Sequence, residues 1–433
     1  MAKYIVGGIF SVIAVVVVLM WAGVIPGLNT GTATLTKAQL EVWGTVDDET
    51  IYTNLANAFT ASNRGVKISY KKKSPETYEQ ELLRAFAAGK GPDLFQMHHT
   101  WLAKYQDILA AAPQDVFPPL DFGEKFVDAA EKDFTAGGQV YGAPLYVDTL
   151  ALYYNVDLFN SAGIVFPPAD WDEFTKYSRQ LTKRKQSGDI LISGAAMGGG
   201  KNVTASSDIL ALLLLQYGVP LSDENGKIKF AQAGASSGQA SAPEKALEFY
   251  TSFARQANPN YSWSGSSVQD AESMFAQNRV GMMIGYADLR GRLLRKSPKL
   301  NVEVAPVPQR KGSVFRRNYP EYWGFGVYKN SKNARAAWEF LKFMTTQEIN
   351  EYYLTATGRP AAQKQLILRQ QRDQRMKAFA DQALSAVSWV QKNEQVIRDV
   401  FTEMIETQIT SDQSLRQTLQ DGEAKINARS KQL

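Results

Sequence analysis

With 433 residues the chain is too long for one ordinary core and suits two domains of roughly 150 to 200 residues each. Apolar content of 44% and charged content of 21% are those of a globular protein, so folding needs no special staple. The net charge of +5 is small for this length and spread out, which argues against a nucleic-acid partner. The one basic run, with Arg310, Lys311, Arg316 and Arg317, reads as a solvated loop because nothing aromatic and helical frames it.

There is no cysteine, which excludes disulfides, thiol catalysis and thiolate metal sites. The two histidines are the adjacent His98 and His99. Neighbours on a strand point to opposite faces, and no HExxH-type spacing occurs. A hydrogen-bonding or pocket-lining role is therefore expected, with no metal site and no cofactor.

In chain order, residues 4–25 come first, a stretch of about 22 residues without a charge, long enough as a helix to cross a hydrocarbon core of about 30 Å. Lys3 precedes it and no Lys or Arg follows until Lys37, so residues 1–28 are expected to be a transmembrane anchor with a cytoplasmic N-terminus. A cleaved signal peptide competes, with Gly31-Thr32-Ala33 as its site. Either reading exports the remainder. Residues 29–37 are small and polar and read as a linker.

Residues 39–43 read as a strand, and Asp48 opens a helix with Ile51, Leu55, Ala58 and Phe59 on one face. Residues 66–70 alternate as a strand. Ser74 is a candidate N-cap, with Pro75 and Glu76 in the first turn and Tyr78, Leu82 and Phe86 continuing the helix. Gly89 stops it before a strand at 92–97. That alternation predicts a parallel sheet covered by helices. Further on, residues 151–159 read as a strand entering a turn. Asp170 with Glu173, and Ser241 with Glu244, have the spacing of helix caps. Residues 279–285 and 302–306 read as buried strands, and Thr345 with Glu348 as another cap. From residue 331 the chain is nearly all helical. The glycines 198–200 and residues 232–242 read as loops, since Lys201 lacks the Ser or Thr of a phosphate loop.

Several pieces resemble, in order, the family 1 extracellular solute-binding proteins of ATP-binding-cassette sugar importers, the group that includes maltose-binding protein. They are Ala87-Ala88-Gly89-Lys90-Gly91-Pro92-Asp93-Leu94-Phe95; Tyr141-Gly142-Ala143-Pro144 followed by Ala151-Leu152-Tyr153-Tyr154-Asn155; the run from Gly163 to Phe174; the run from Phe275 to Ile284; and Ala336-Ala337-Trp338-Glu339-Phe340-Leu341. Together they span most of the chain from Gln39 onward. Asn278 stands where the family usually has glycine and can hold the same left-handed turn.

The resemblance implies an α/β, two-lobe periplasmic-binding-protein-like fold (type 2) with a hinge and an interlobe cleft, preceded here by one transmembrane helix. It places lobe one at 38–147 plus 306–350 and lobe two at 148–305 plus 351–433. It implies a monomeric, extracytoplasmic binding component, with no enzyme activity, that captures a sugar or similar small polar solute and delivers it to permease subunits. Sugars pack their C–H faces on aromatic rings and bond their hydroxyls to polar groups. The candidate ligand residues are Trp43, Tyr146, Tyr286, Trp323 and Trp389, with the polar Asp47, His98, Asp148 and Arg359. Alternatives are binding of a peptide or anion, a ligand-sensing ectodomain, and a glycoside hydrolase with paired carboxylates. Removing residues 1–28 is expected to yield a soluble chain; fractionation of the truncated chain with membranes would contradict the anchor.

Overall fold

The computed structural model describes residues 37–232, 239–265 and 270–430. The expected anchor, nearly all of the linker, and most of the loop at 232–242 lie outside the described residues. No helix among the described residues is long and apolar enough to cross a membrane.

The described residues form two compact units, one within residues 37–96 with 327–344, and one within residues 97–326 with 345–430. In the first, the strand Ala38–Gly44 pairs in parallel with Val66–Lys72 and Leu94–His98, bringing Val42 level with Tyr70 and Leu94. Asp48 caps the helix Glu49–Ser62 by accepting from Thr50 N, but its buried face is Tyr52, Leu55, Ala56 and Phe59. Phe59 meets Phe340 and Phe343 of the helix Ala334–Met344 at 5.2 and 5.3 Å between ring centroids. The buried Gln96 side chain ties the strand ends together. Its oxygen accepts from Thr45 N at 2.7 Å and its amide donates to Tyr52 Oη at 2.7 Å.

Two helix starts differ from expectation. Ser74 donates to the Glu76 carboxylate instead of capping the backbone, residues 75–77 form a turn, and the helix runs Tyr78–Ala87. The helix Gln347–Thr357 begins after Thr346, without a side-chain cap bond, rather than at a Thr345 cap.

The second unit holds a mixed sheet in the order Val302–Pro306, Ala151–Asn155, Val280–Gly285, Ile190–Ala195, Lys183–Arg184. Tyr153 lies level with Val304 on one side and Met283 on the other, both antiparallel. Asn278 has φ of +57°, and its side-chain oxygen accepts from Asn155 Nδ2 at 2.8 Å. The turn thus keeps its left-handed form without glycine. Asp170 caps the helix Trp171–Leu181 through Glu173 N, and Ser241 and Glu244 form a reciprocal capping box on Ala242–Ser252.

The helix Ser206–Gln216 is buried on every side, so its apolar run needs no polar face. It packs against Ala242–Ser252 and Glu394–Thr410. A short antiparallel ladder pairs Asp148–Thr149 with Pro320–Glu321 and fixes Glu321 opposite Asp148.

The sheet lies tightly on Trp171–Leu181: a Cβ added at Gly194 would stand 1.8 Å from Ser178 O. Neither backbone can yield cheaply. Gly194→Ala is expected to lower stability by about 1–3 kcal/mol, read as a lower urea midpoint; an unchanged midpoint would contradict this packing.

Candidate functional site

A group of charged side chains converges inside the second unit. His98 ends the strand Leu94–His98 and is 2% exposed. Its Nε2 lies 2.8 Å from Glu321 Oε1 and its Nδ1 lies 2.7 Å from Glu394 Oε2. The Thr100 hydroxyl donates to the same Glu394 oxygen at 2.5 Å. Burial opposes a charge on His98, but Glu321 and Glu394 outweigh it and raise the imidazole pKa to about 10. Burial likewise works against the charge on Glu394, and the His98 charge wins, lowering it to about 2. Glu321 is lowered in the same way, with burial again opposing His98.

Asp208 adds a third carboxylate in the first turn of the buried helix Ser206–Gln216, where the helix dipole favours negative charge. Its Oδ2 accepts from the Tyr286 hydroxyl at 2.9 Å. Burial raises the Asp208 pKa and the Arg398 guanidinium pulls against that. Arg398 is raised chiefly by Asp208, then by Glu321, with burial opposing. Glu394 and Arg398 stand four positions apart, so the helix Glu394–Thr410 presents both on one side. Gln391 Nε2 donates to Tyr319 Oη at 3.2 Å.

Ala211, Ile397 and Phe401 supply the apolar lining, and the cavity is about 10 Å³. That is about the room one water needs. A larger solute must displace side chains to enter. Trp323 borders the group, edge-on to His98 and to Trp101 at 5.3 Å each. The arrangement offers carboxylate acceptors, guanidinium and amide donors, and an indole face.

Of the residues expected from sequence, His98, Tyr286 and Trp323 are brought together here. Tyr146, Asp148 and Arg359 form a second group. The Arg359 guanidinium lies 4.1 Å from the Tyr146 ring centroid, and Asp148 accepts from Ala287 N at 3.0 Å and Thr149 N at 2.8 Å. Trp389 is 7% exposed and its indole nitrogen has no hydrogen-bond partner among the described residues. Trp43 and Asp47 lie in the first unit. There the Trp43 indole donates to Glu41 Oε1 at 2.6 Å under the Lys73 ammonium, and Asp47 accepts from Tyr52 Oη at 3.2 Å.

The expectation that His98 and His99 face apart is corrected, since their rings stand 4.5 Å apart. The strand ends at His98, so the alternation that separates neighbours ends there too. Sequence reasoning missed Asp208, Glu321, Glu394, Arg398 and Tyr319. Asp208 carried a signal, being the one charged residue of a helix whose stretch from Ile209 to Leu215 is wholly apolar.

Burial pushes the Asp148 carboxyl up to about 7, against the pull of Arg359. The folded chain then holds a proton that the unfolded chain releases near pH 4. This contribution to stability is complete below about pH 4 and is lost as pH rises to about 7. Relative to Asp148→Asn, wild-type stability is expected to fall across that window and level off above it. A difference that stays flat or rises would contradict the assignment.

The sequence model of the bacterial extracellular solute-binding protein family matches residues 43–351. A binding protein of Brucella abortus is 25% identical over 295 residues, covering 68% of each chain. The maltotriose-binding protein of Pyrococcus abyssi is 24% identical over 304 residues, covering 68% of this chain and 59% of its own. Among solved structures, the sugar-binding protein MalE from Xanthomonas citri aligns with a TM-score of 0.76 at 20% identity, covering 91% of this chain and 98% of its own. A cyclo/maltodextrin-binding protein complexed with maltotetraose aligns with a TM-score of 0.73 at 21% identity, covering 93% and 98%. The two structures share the α/β fold of this chain. The match to the family model covers well over half of the sequence, and the chain belongs to the bacterial extracellular solute-binding proteins.

Proposed function

We propose that this protein captures a carbohydrate outside the cell and delivers it to the permease of an ATP-binding-cassette importer. The observation that carries the reading is the convergence of Asp208, Glu321, Glu394 and Arg398 beside the Trp323 and Tyr286 rings. Carboxylates and a guanidinium grip hydroxyls directionally, and a ring accepts the C–H face of a pyranose. Relatives named for maltotriose and for multiple sugars support this ligand class.

The lobes at 38–147 plus 306–350 and at 148–305 plus 351–433, closing about a hinge, belong to the proposal. So does attachment to the cell membrane through residues 4–25, with the binding part outside. Both rest on the sequence and on the family. Closure follows only if the solute binds the closed form more tightly than the open one. Trp323 and Tyr286 serve as ring platforms, and His98 keeps Glu321 and Glu394 ionised.

A thermal-shift screen of the full chain in detergent, over mono- and oligosaccharides, tests this. A sugar at a hundred times its dissociation constant adds about 2.7 kcal/mol of stability, a clear upward shift. Trp323→Ala is expected to weaken binding of the best sugar about threefold to tenfold, the worth of one aromatic platform. Silence across sugars with a response to peptides or anions would replace the carbohydrate reading.

A further inference from the structure

Both imidazoles of the histidine pair have Nδ1 engaged by a carboxylate: His99 Nδ1 lies 2.9 Å from Asp133 Oδ2, and His98 Nδ1 lies 2.7 Å from Glu394 Oε2. Each Nε2 is thereby turned toward Glu321, at 2.8 Å from Oε1 for His98 and 3.9 Å from Oε2 for His99. Donor atoms from the three residues all lie within 4.8 Å of one another. His99 is 2% exposed, and its Nε2 has no hydrogen-bond partner among the described residues. Buried polar atoms are normally satisfied, so an orphan aimed into a group of donors calls for an occupant.

The His99 ring cannot turn away to find one. It stacks on Tyr322 at 4.6 Å and 11°. The Asp133 carboxylate that holds its other nitrogen is itself fixed, accepting from the Tyr322 hydroxyl at 2.6 Å and from the Ser388 hydroxyl. A carboxylate behind each histidine is the arrangement that sets the tautomer and aim of a metal-ligating imidazole.

We propose that His98, His99 and Glu321 bind a divalent transition-metal ion. Two imidazole nitrogens and one carboxylate suit zinc, nickel or ferrous iron, whereas calcium and magnesium prefer all-oxygen shells. Metal–nitrogen bonds of about 2.0–2.1 Å require only small side-chain movements to draw these atoms around one ion. The His98 Nε2–H gives its proton to solvent as that nitrogen's lone pair takes up the ion, while the Nδ1–H stays on the ring and donates to the Glu394 carboxylate. Three protein ligands leave a coordination position open. His98 and Glu321 also line the solute cavity, so that position lies at its wall. The site goes beyond the carbohydrate proposal and does not require it.

The test is calorimetric titration of the chelator-treated full chain with Zn²⁺, paired with absorption spectra of the Co²⁺-loaded protein. Saturable binding of one ion is expected, with cobalt bands of a nitrogen- and oxygen-ligated site. His99→Gln and Glu321→Gln, each checked for folding by circular dichroism, are expected to weaken Zn²⁺ at least about tenfold. Should either variant fail to fold, the wild-type cobalt spectrum still decides. No saturable binding, a cobalt spectrum of the hexaaqua ion, or unchanged affinity in both variants would overturn the site. Sugar shifts measured on the same metal-free sample separate the two proposals. Sugar binding without metal binding sinks only the metal site, and metal binding without any sugar response sinks only the carbohydrate reading.

Discussion

The candidate site depends on one arrangement, a buried imidazolium held between two carboxylates. A charge as buried as His98 is costly in the interior unless partners offset its lost hydration. Glu321 and Glu394 do so from opposite sides of the ring, and they come from distant parts of the chain. Removing either acid leaves His98 half-compensated, and removing His98 leaves two carboxylates facing each other. The strand end at His98, the ladder at Glu321 and the helix start at Glu394 are therefore bound into one electrostatic unit. Asp208 and Arg398 extend it with a second pair of opposite charges.

This economy bears on how a solute is taken up. The charges satisfy one another and leave about 10 Å³ between them. A guest must offer hydrogen bonds good enough to replace those it disturbs, which favours polyhydroxylated molecules over apolar ones. Trp323 adds what charges cannot, a flat apolar face at the border of the group. The histidine pair shows the same logic carried one step further. His99 is held as firmly as His98, yet among the described residues its Nε2 finds no hydrogen-bond partner.

Much of the fold was legible because its signals are local. Asp48, Asp170 and Ser241 announce their helices within four residues, and all three cap as expected. Val280–Gly285 is a short buried apolar run, and Val302–Pro306 is strand although Glu303 and Pro306 are exposed; neither needs distant information to be read as strand. Ser74 misled because its hydroxyl found the Glu76 side chain, a competition between two polar neighbours that spacing does not reveal. The site was less legible. His98, Tyr286 and Trp323 could be chosen as ring or polar residues at strand ends. Glu321 and Glu394 look like ordinary surface acids until residues 223 or more positions apart are brought together. Asn278 lies between these cases, since its left-handed turn was expected and its bond to Asn155 was not.

The most direct measurement is a crystal structure of the protein soaked with the best-binding oligosaccharide. The expected result is sugar hydroxyls within hydrogen-bond distance of Asp208, Glu321, Glu394 or Arg398, with a pyranose face on Trp323. A sugar bound elsewhere, with the His98 pairings and the cavity unaltered, would contradict it.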